Sequence, residues 1–246
     1  MNNLAAEHSP LEQFTVERIV PLHIGSIDIS YTNAALMMTI VVALVAGFLL
    51  FATRRPRLVP GRLQSVAELV YEFTDRMVED NLGEEGRAFF PFVFSLFMFL
   101  LLGNVIALIP FSFSFTAQIV ITATLALFVF ALVTVVAFVR HGFHFFSFFF
   151  PAGAPLIMAP LIVPIEIVSY LARPVTLAIR LFANMMAGHT MMAVIGGFAV
   201  ALGYFFFLPV LANVALYALE LIVAVLQAYV FAILTVLYLR DAIHLH

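Results

Sequence analysis

The chain has 246 residues, of which 64% are hydrophobic and 10% charged, far from the roughly even apolar share and quarter of charged residues of a soluble domain. A net charge of -3 argues against a nucleic-acid surface. The absence of cysteine excludes disulfides and thiolate chemistry. All 11 basic residues are arginine, which excludes a Walker-A lysine and a Schiff base. The chain reads as an all-α integral membrane protein in one domain, with about five membrane helices and one amphipathic surface helix.

Residues 1–33 read as an outer N-terminal segment; the first 30 are polar and mixed and lack the basic start and apolar core of a cleavable signal peptide. The uncharged run 34–53 is long enough to cross a ~30 Å hydrocarbon core. It stops at Arg54, Arg55 and Arg57, a basic cluster that reads as cytoplasmic and puts the N-terminus outside. Over 63–81, Glu68, Glu72, Asp75, Arg76, Glu79 and Asp80 alternate with Val66, Leu69, Val70, Phe73 and Met77 at helical spacing. That pattern predicts the amphipathic helix.

Residues 88–139 are too long for one span and are broken at Pro110–Ser114. Two antiparallel spans are expected, Phe90–Ile109 and Thr116–Phe138. Arg140 and His141 return the chain to the basic side. Phe143–Phe150 and the prolines 151, 155, 160 and 164 predict an interfacial re-entry without regular helix. The region 156–240 then predicts a long, strongly tilted hairpin: a helix over Ile165–Leu202, a turn at Gly203–Pro209, and a helix over Val210–Leu239. The C-terminus falls inside.

Charges within lipid are costly and default to function. Glu166, Arg173 and Arg180 recur every seven residues and share a face with Ser169 and Asn184. Glu220, Gln227 and Tyr238 share a face of the last helix. Counting equal 1.5 Å rises from a tip near Phe206 sets His189 level with a position next to Glu220, and Arg180 within a turn of Gln227. A titratable pair toward the outside, a fixed cation near mid-membrane and a separate carboxylate inside suit two offset aqueous pathways. Arg180 has no carboxylate one turn away and cannot deprotonate, so packing alone does not account for it. Simpler readings fit several others. Arg173 suits snorkelling, Glu166 a first-turn carboxylate on the helix dipole, and Tyr238 an interfacial belt. The pairs His141/His144 and His244/His246 resemble metal spacings but lie at the membrane edge and the terminus, so no metal is expected. A secondary transporter using the same charges and a non-conducting scaffold remain open on the residues alone; the first would usually show internal repeats, and none is visible.

The run from Glu166 through Ser169, Tyr170, Arg173 and Pro174 to Arg180, Asn184, Gly188 and His189 resembles the hallmark segment of the F-type ATP synthase a subunit family. Leu226–Phe231 and Leu234–Leu239 resemble its C-terminal segment, and Leu102–Pro110 the end of its third helix. The resemblance covers Leu11 to Tyr238. It implies that Arg180 is the essential charge facing a carboxylate of the rotating c-ring. It implies that Asn184, His189, Glu220 and Gln227 line an outer half-channel, and Glu166, Ser169 and Tyr238 an inner one. His189 and Glu220 stand in the mitochondrial-type order. Ala107 departs from members that carry an aspartate there, so that carboxylate's role does not transfer. The implied protein is a non-catalytic proton-conducting subunit of a bacterial plasma (inner) membrane. Its implied partners are the c-ring, peripheral-stalk b subunits, the remaining synthase subunits and lipid, with no cofactor.

Overall fold

The computed structural model describes residues 14–21, 23–24, 27–28, 30–109, 112–150 and 158–244. Six α-helices dominate: α1 Asn33–Thr53, α2 Arg62–Leu82, α3 Phe90–Ala107, α4 Ile119–His141, α5 Ala159–Ala201 and α6 Phe207–Ile243. All but α2 are long and apolar enough to cross a membrane. In α1 the mean hydropathy is 2.7, yet only 11% of its most apolar window is buried. A surface so apolar and so open is solvated by lipid, and the chain is a multi-pass membrane protein.

Helix α6 is the hub, packing against α2, α3, α4 and α5. Leu100, Val129, Leu181, Phe231, Val236 and Leu239 form its fully buried surroundings. The amphipathic α2 turns Met77, Val78 and Leu82 into the same core, while Glu72 and Arg76 pair at 3.6 Å on its exposed side. Glycines with positive φ close three helix ends: Gly83 after α2, Gly142 after α4 and Gly203 after α5. A left-handed residue there lets the chain reverse without a Cβ clash.

The described N-terminal arm holds two nested antiparallel pairs, β1 (Arg18–Val20) with β4 (Tyr31–Thr32) and β2 (His23–Ile24) with β3 (Ile27–Asp28). Strands this short carry no readable alternation, so the sequence does not signal them. Asn33 anchors the arm: its Nδ2 donates to the Thr15 carbonyl at 3.0 Å and its Oδ1 accepts from the Glu17 amide at 3.3 Å. Gln118 Nε2 donates to the Phe14 carbonyl at 2.6 Å, tying the arm to the start of α4.

The expected break at the prolines is corrected. Helix α5 starts at Ala159 and runs through Pro164 and Pro174. Pro160 sits in the first turn, where a missing N–H costs nothing. The interior prolines each leave one carbonyl free, which a membrane helix tolerates by bending or by local partners. Glu166 therefore lies beyond the first turn and is not a dipole-capping carboxylate. Helix α4 starts at Ile119, after a 3-10 turn at Phe115–Ala117 that holds Thr116. Residues 142–149 form a 3-10 stretch, and Pro110, Pro151 and Pro155 lie outside the described residues. Helix α6 takes Pro209 into its first turn and continues to Ile243.

At ~1.5 Å per residue, α5 and α6 extend ~64 and ~55 Å, about twice the hydrocarbon thickness. They pair as a hairpin through Gly203. The end away from this turn is tied by polar contacts. Arg173 pairs with Asp241 at 3.0 Å, Arg140 pairs with Glu85, and His141 Nε2 faces the carbonyls of Ala242 and Ile243 at 3.1 and 3.2 Å.

Candidate functional site

The polar groups of the hairpin stand in order along it. On the turn side of Arg180, the Glu220 carboxylate lies directly against the Gly188 backbone, where a side chain at 188 would collide with it. His189 is the next residue along α5, so imidazole and carboxylate share one level. Only 7% of Glu220 is exposed. Glu220 Oε1 and His189 Nε2 are both shielded and without a hydrogen-bond partner. Buried polar atoms without a partner are rare in a finished core, because each unmade bond costs on the order of 1–3 kcal/mol. Phe14 of the arm meets the His189 ring edge-on, with centroids 6.3 Å apart.

Seven residues along α6, Gln227 is buried on the same face as Glu220. Above it, Asn104 of α3 is fully buried and donates Nδ2 to the Ala224 carbonyl at 3.2 Å, leaving Oδ1 unpartnered. Asn104 stands in the run Leu102–Pro110 quoted above, but no charge or periodicity marks it as a site residue.

Arg180 lies ~13 Å along α5 from His189. Its side chain is exposed on the helix face that also carries Thr176, Ala183 and Ala187. Among the described residues it has no ion-pair partner. A guanidinium cannot deprotonate, so Arg180 keeps its charge on this exposed face. Asn184 is half-buried one turn away.

Glu166 and Ser169 lie a further ~21 and ~17 Å from Arg180 toward the tied end, half-buried and exposed respectively. Among the described residues no hydrogen bond joins either of them to Tyr238. That phenol stacks instead under the Arg173 guanidinium at 5.1 Å, with Tyr170 on the same cation at 5.6 Å. Arg173 is thus clamped by two rings and Asp241 rather than left to snorkel. Among the described residues no cluster of three His, Asp or Glu side chains could hold a metal.

A family model described as ATP synthase A chain matches residues 35–240. The chain belongs to that family. Among curated relatives of the A chain, ATP synthase subunit a of Rhodospirillum rubrum is 49% identical over 240 residues, covering 97% of this chain and 100% of the relative. The subunit a of Rhizobium johnstonii is 50% identical over 242 residues, covering 96% of this chain and 97% of the relative. That of Xanthobacter autotrophicus is 53% identical over 243 residues, with 96% and 97% covered. An ATP synthase A chain is a membrane-sector subunit of the F-type complex.

Proposed function

We propose that this chain is the ion-translocating stator subunit of its synthase, forming two offset proton half-channels against a ring of carboxylate-bearing c subunits. The observation that carries the reading is Arg180, an exposed guanidinium without an acidic partner in the described chain. The Glu220–His189 level lies on one side of it and Glu166 on the other. A proton enters past His189 and Glu220 and neutralises a ring carboxylate. The neutral carboxyl then crosses lipid without the ~2.5–3.5 kcal/mol that a charged one costs at mid-bilayer. After nearly a full turn it meets the inner path near Glu166, Ser169 and Tyr238 and releases the proton. Arg180 favours the ionised carboxylate by opposite charge and repels protons that would cross directly. Asn184 and Gln227 carry amides that can relay water-borne protons on the outer side.

The membrane potential supplies about 2.3 kcal/mol per charge per 100 mV, so several protons per turn drive synthesis elsewhere in the complex. The chain itself is non-catalytic and is held by peripheral-stalk b subunits in the bacterial plasma membrane, N-terminus outside and C-terminus cytoplasmic.

Proton movement in inverted vesicles carrying the whole complex tests this. Arg180→Ala is expected to abolish ATP-driven pumping and to leak protons passively once the catalytic head is stripped. Undiminished coupled pumping by the variant overturns the role of Arg180.

A further inference from the structure

The turn between α1 and α2 gathers Arg54, Arg55, Arg57 and Arg62, and Glu68 is the only acidic residue of 54–68. All four arginines are exposed, and among the described residues none has an ion pair or a side-chain hydrogen bond. Glu68 is already engaged, its Oε1 accepting from Gln64 Nε2 at 2.8 Å. Arg62 opens α2, where a cation opposes the helix dipole, and the first turn holds no acidic residue to balance it. Like charges gathered this closely repel one another, and the chain supplies no counter-ion for them.

The turn is held in shape. The Gln64 amide grips Arg57 twice, accepting from its backbone N–H at 3.2 Å and donating to its carbonyl at 3.1 Å. Pro56 and Pro60 fix the backbone on either side of the Leu58–Val59 tip. An open cavity of about 420 Å³ results, lined by Arg55, Arg57 and Arg62 together with Phe51 and Leu63. A second, of about 320 Å³, shares Phe51 and Arg55 with it and adds Arg54. Both volumes lie within the ~300–1,000 Å³ of small-ligand sites. Phe51, in the last turn of α1, is 71% exposed, and Leu58, Val59 and Leu63 are exposed as well. Because α1 ends at Thr53, the arginines stand at the edge of the hydrocarbon, the level of the lipid phosphates.

We infer that this turn is a binding site for an anionic glycerophospholipid, with the phosphate diester held by the arginines and an acyl chain laid over Phe51 and along α1. Guanidinium forks match phosphate oxygens in a bidentate way, which an ammonium does not. A free inorganic phosphate satisfies the same charges but leaves Phe51 and Leu63 wet; a lipid covers them. Helix α1 is open over most of its length, so the chain has an apolar track to follow. A zwitterionic headgroup brings its own cation to the arginines and gains less from them. The site is remote in sequence from Arg180 and Glu220 and does not rest on the two-pathway reading.

Photolabelling of the whole complex tests the site. The complex in neutral detergent is mixed with a subsaturating phosphatidylglycerol that carries a diazirine high on one acyl chain, then irradiated. It is digested with chymotrypsin, because replacing arginine removes tryptic sites, and the adduct is mapped by mass spectrometry. An adduct within residues 50–64 is expected. Each arginine at an anionic headgroup contributes about fivefold in affinity, so Arg55→Gln should label about fivefold less and Arg55→Gln with Arg62→Gln about 25-fold less. Arg55→Lys, which keeps the charge without the fork, should fall less than Arg55→Gln. Unlabelled phosphatidylglycerol should displace the probe, while phosphatidylcholine and inorganic phosphate at the same concentration should not. Displacement by inorganic phosphate makes this a free-phosphate site and overturns the lipid. Equal displacement by phosphatidylcholine reduces it to ordinary lipid contact and overturns it too. An intact complex without the adduct leaves the arginines to a neighbouring subunit, and a double variant that labels like wild type removes their role; either result overturns the site. If the double variant fails to assemble, the single variants and the competitors decide.

Discussion

Gly188→Ala is the most incisive perturbation of the Glu220 level. A Cβ at position 188 would fall on the Glu220 carboxylate. The colliding atoms are the far end of a flexible side chain rather than backbone, so the helices need not part and folding is spared. The carboxylate must instead retreat by about 1–1.5 Å, and displacing a reacting group by ~1 Å can cost on the order of 100-fold in rate. That factor corresponds to about 2.7 kcal/mol on the barrier. The assay is passive proton conduction through head-stripped vesicles, with the amount of assembled complex and its ATP hydrolysis measured alongside. Gly188→Ala is expected to assemble normally and to conduct about 10–100-fold more slowly. Shortening the acid restores the gap, so Gly188→Ala combined with Glu220→Asp should recover much of the loss. Wild-type conduction by Gly188→Ala, or a double variant no better than the single one, would refute the claim that contact with Gly188 places the carboxylate.

Gly103→Ala should behave in the opposite way, because a Cβ there would come within 2.5 Å of the ring of Phe115, a buried aromatic with nowhere to go. A loss of about 1–3 kcal/mol is expected, read as a lower unfolding temperature in detergent; an unchanged temperature contradicts it. Asp241→Asn removes one member of a partly exposed ion pair and should cost about 1 kcal/mol. Arg173→Ala also removes both tyrosine contacts and should cost roughly twice that, so equal effects would disprove the clamp. At the membrane edge, the hydrogen bond and charge of Arg140 hold the Glu85 carboxyl below the usual carboxylate range. A lowered folded value means that the tie contributes above the unfolded value and is lost as pH falls through the folded one. The unfolding-temperature gap between wild type and Glu85→Gln should therefore close in acid; a gap that widens on acidification argues against the tie.

The lipid-spanning helices were legible because their signal is one of length and missing charge, which no tertiary contact can alter. The hairpin register was legible for a similar reason. Equal rises from the turn put His189 beside Glu220 within a residue or two, and Glu220 does meet Gly188. The prolines were misread because local propensity disfavours them in a helix, while lipid penalises any unpaired alternative more heavily. The Arg173 clamp was invisible because Asp241 and Tyr238 lie more than sixty residues away, and sequence spacing reports only neighbours on one helix.

The bond from Gln118 to Phe14 joins groups 104 residues apart. A ribosome adding ~5–20 residues per second reaches the second group about 5–20 s after the first. During that interval the N-terminal arm exists without its anchor on α4, and α5 with His189 has not yet been made. The strand pairs and the Asn33 contacts can form early, but seating on the hairpin must wait. The arm is therefore translated first and docked late, and the wall it contributes beside His189 appears only after the helices it covers have entered the membrane.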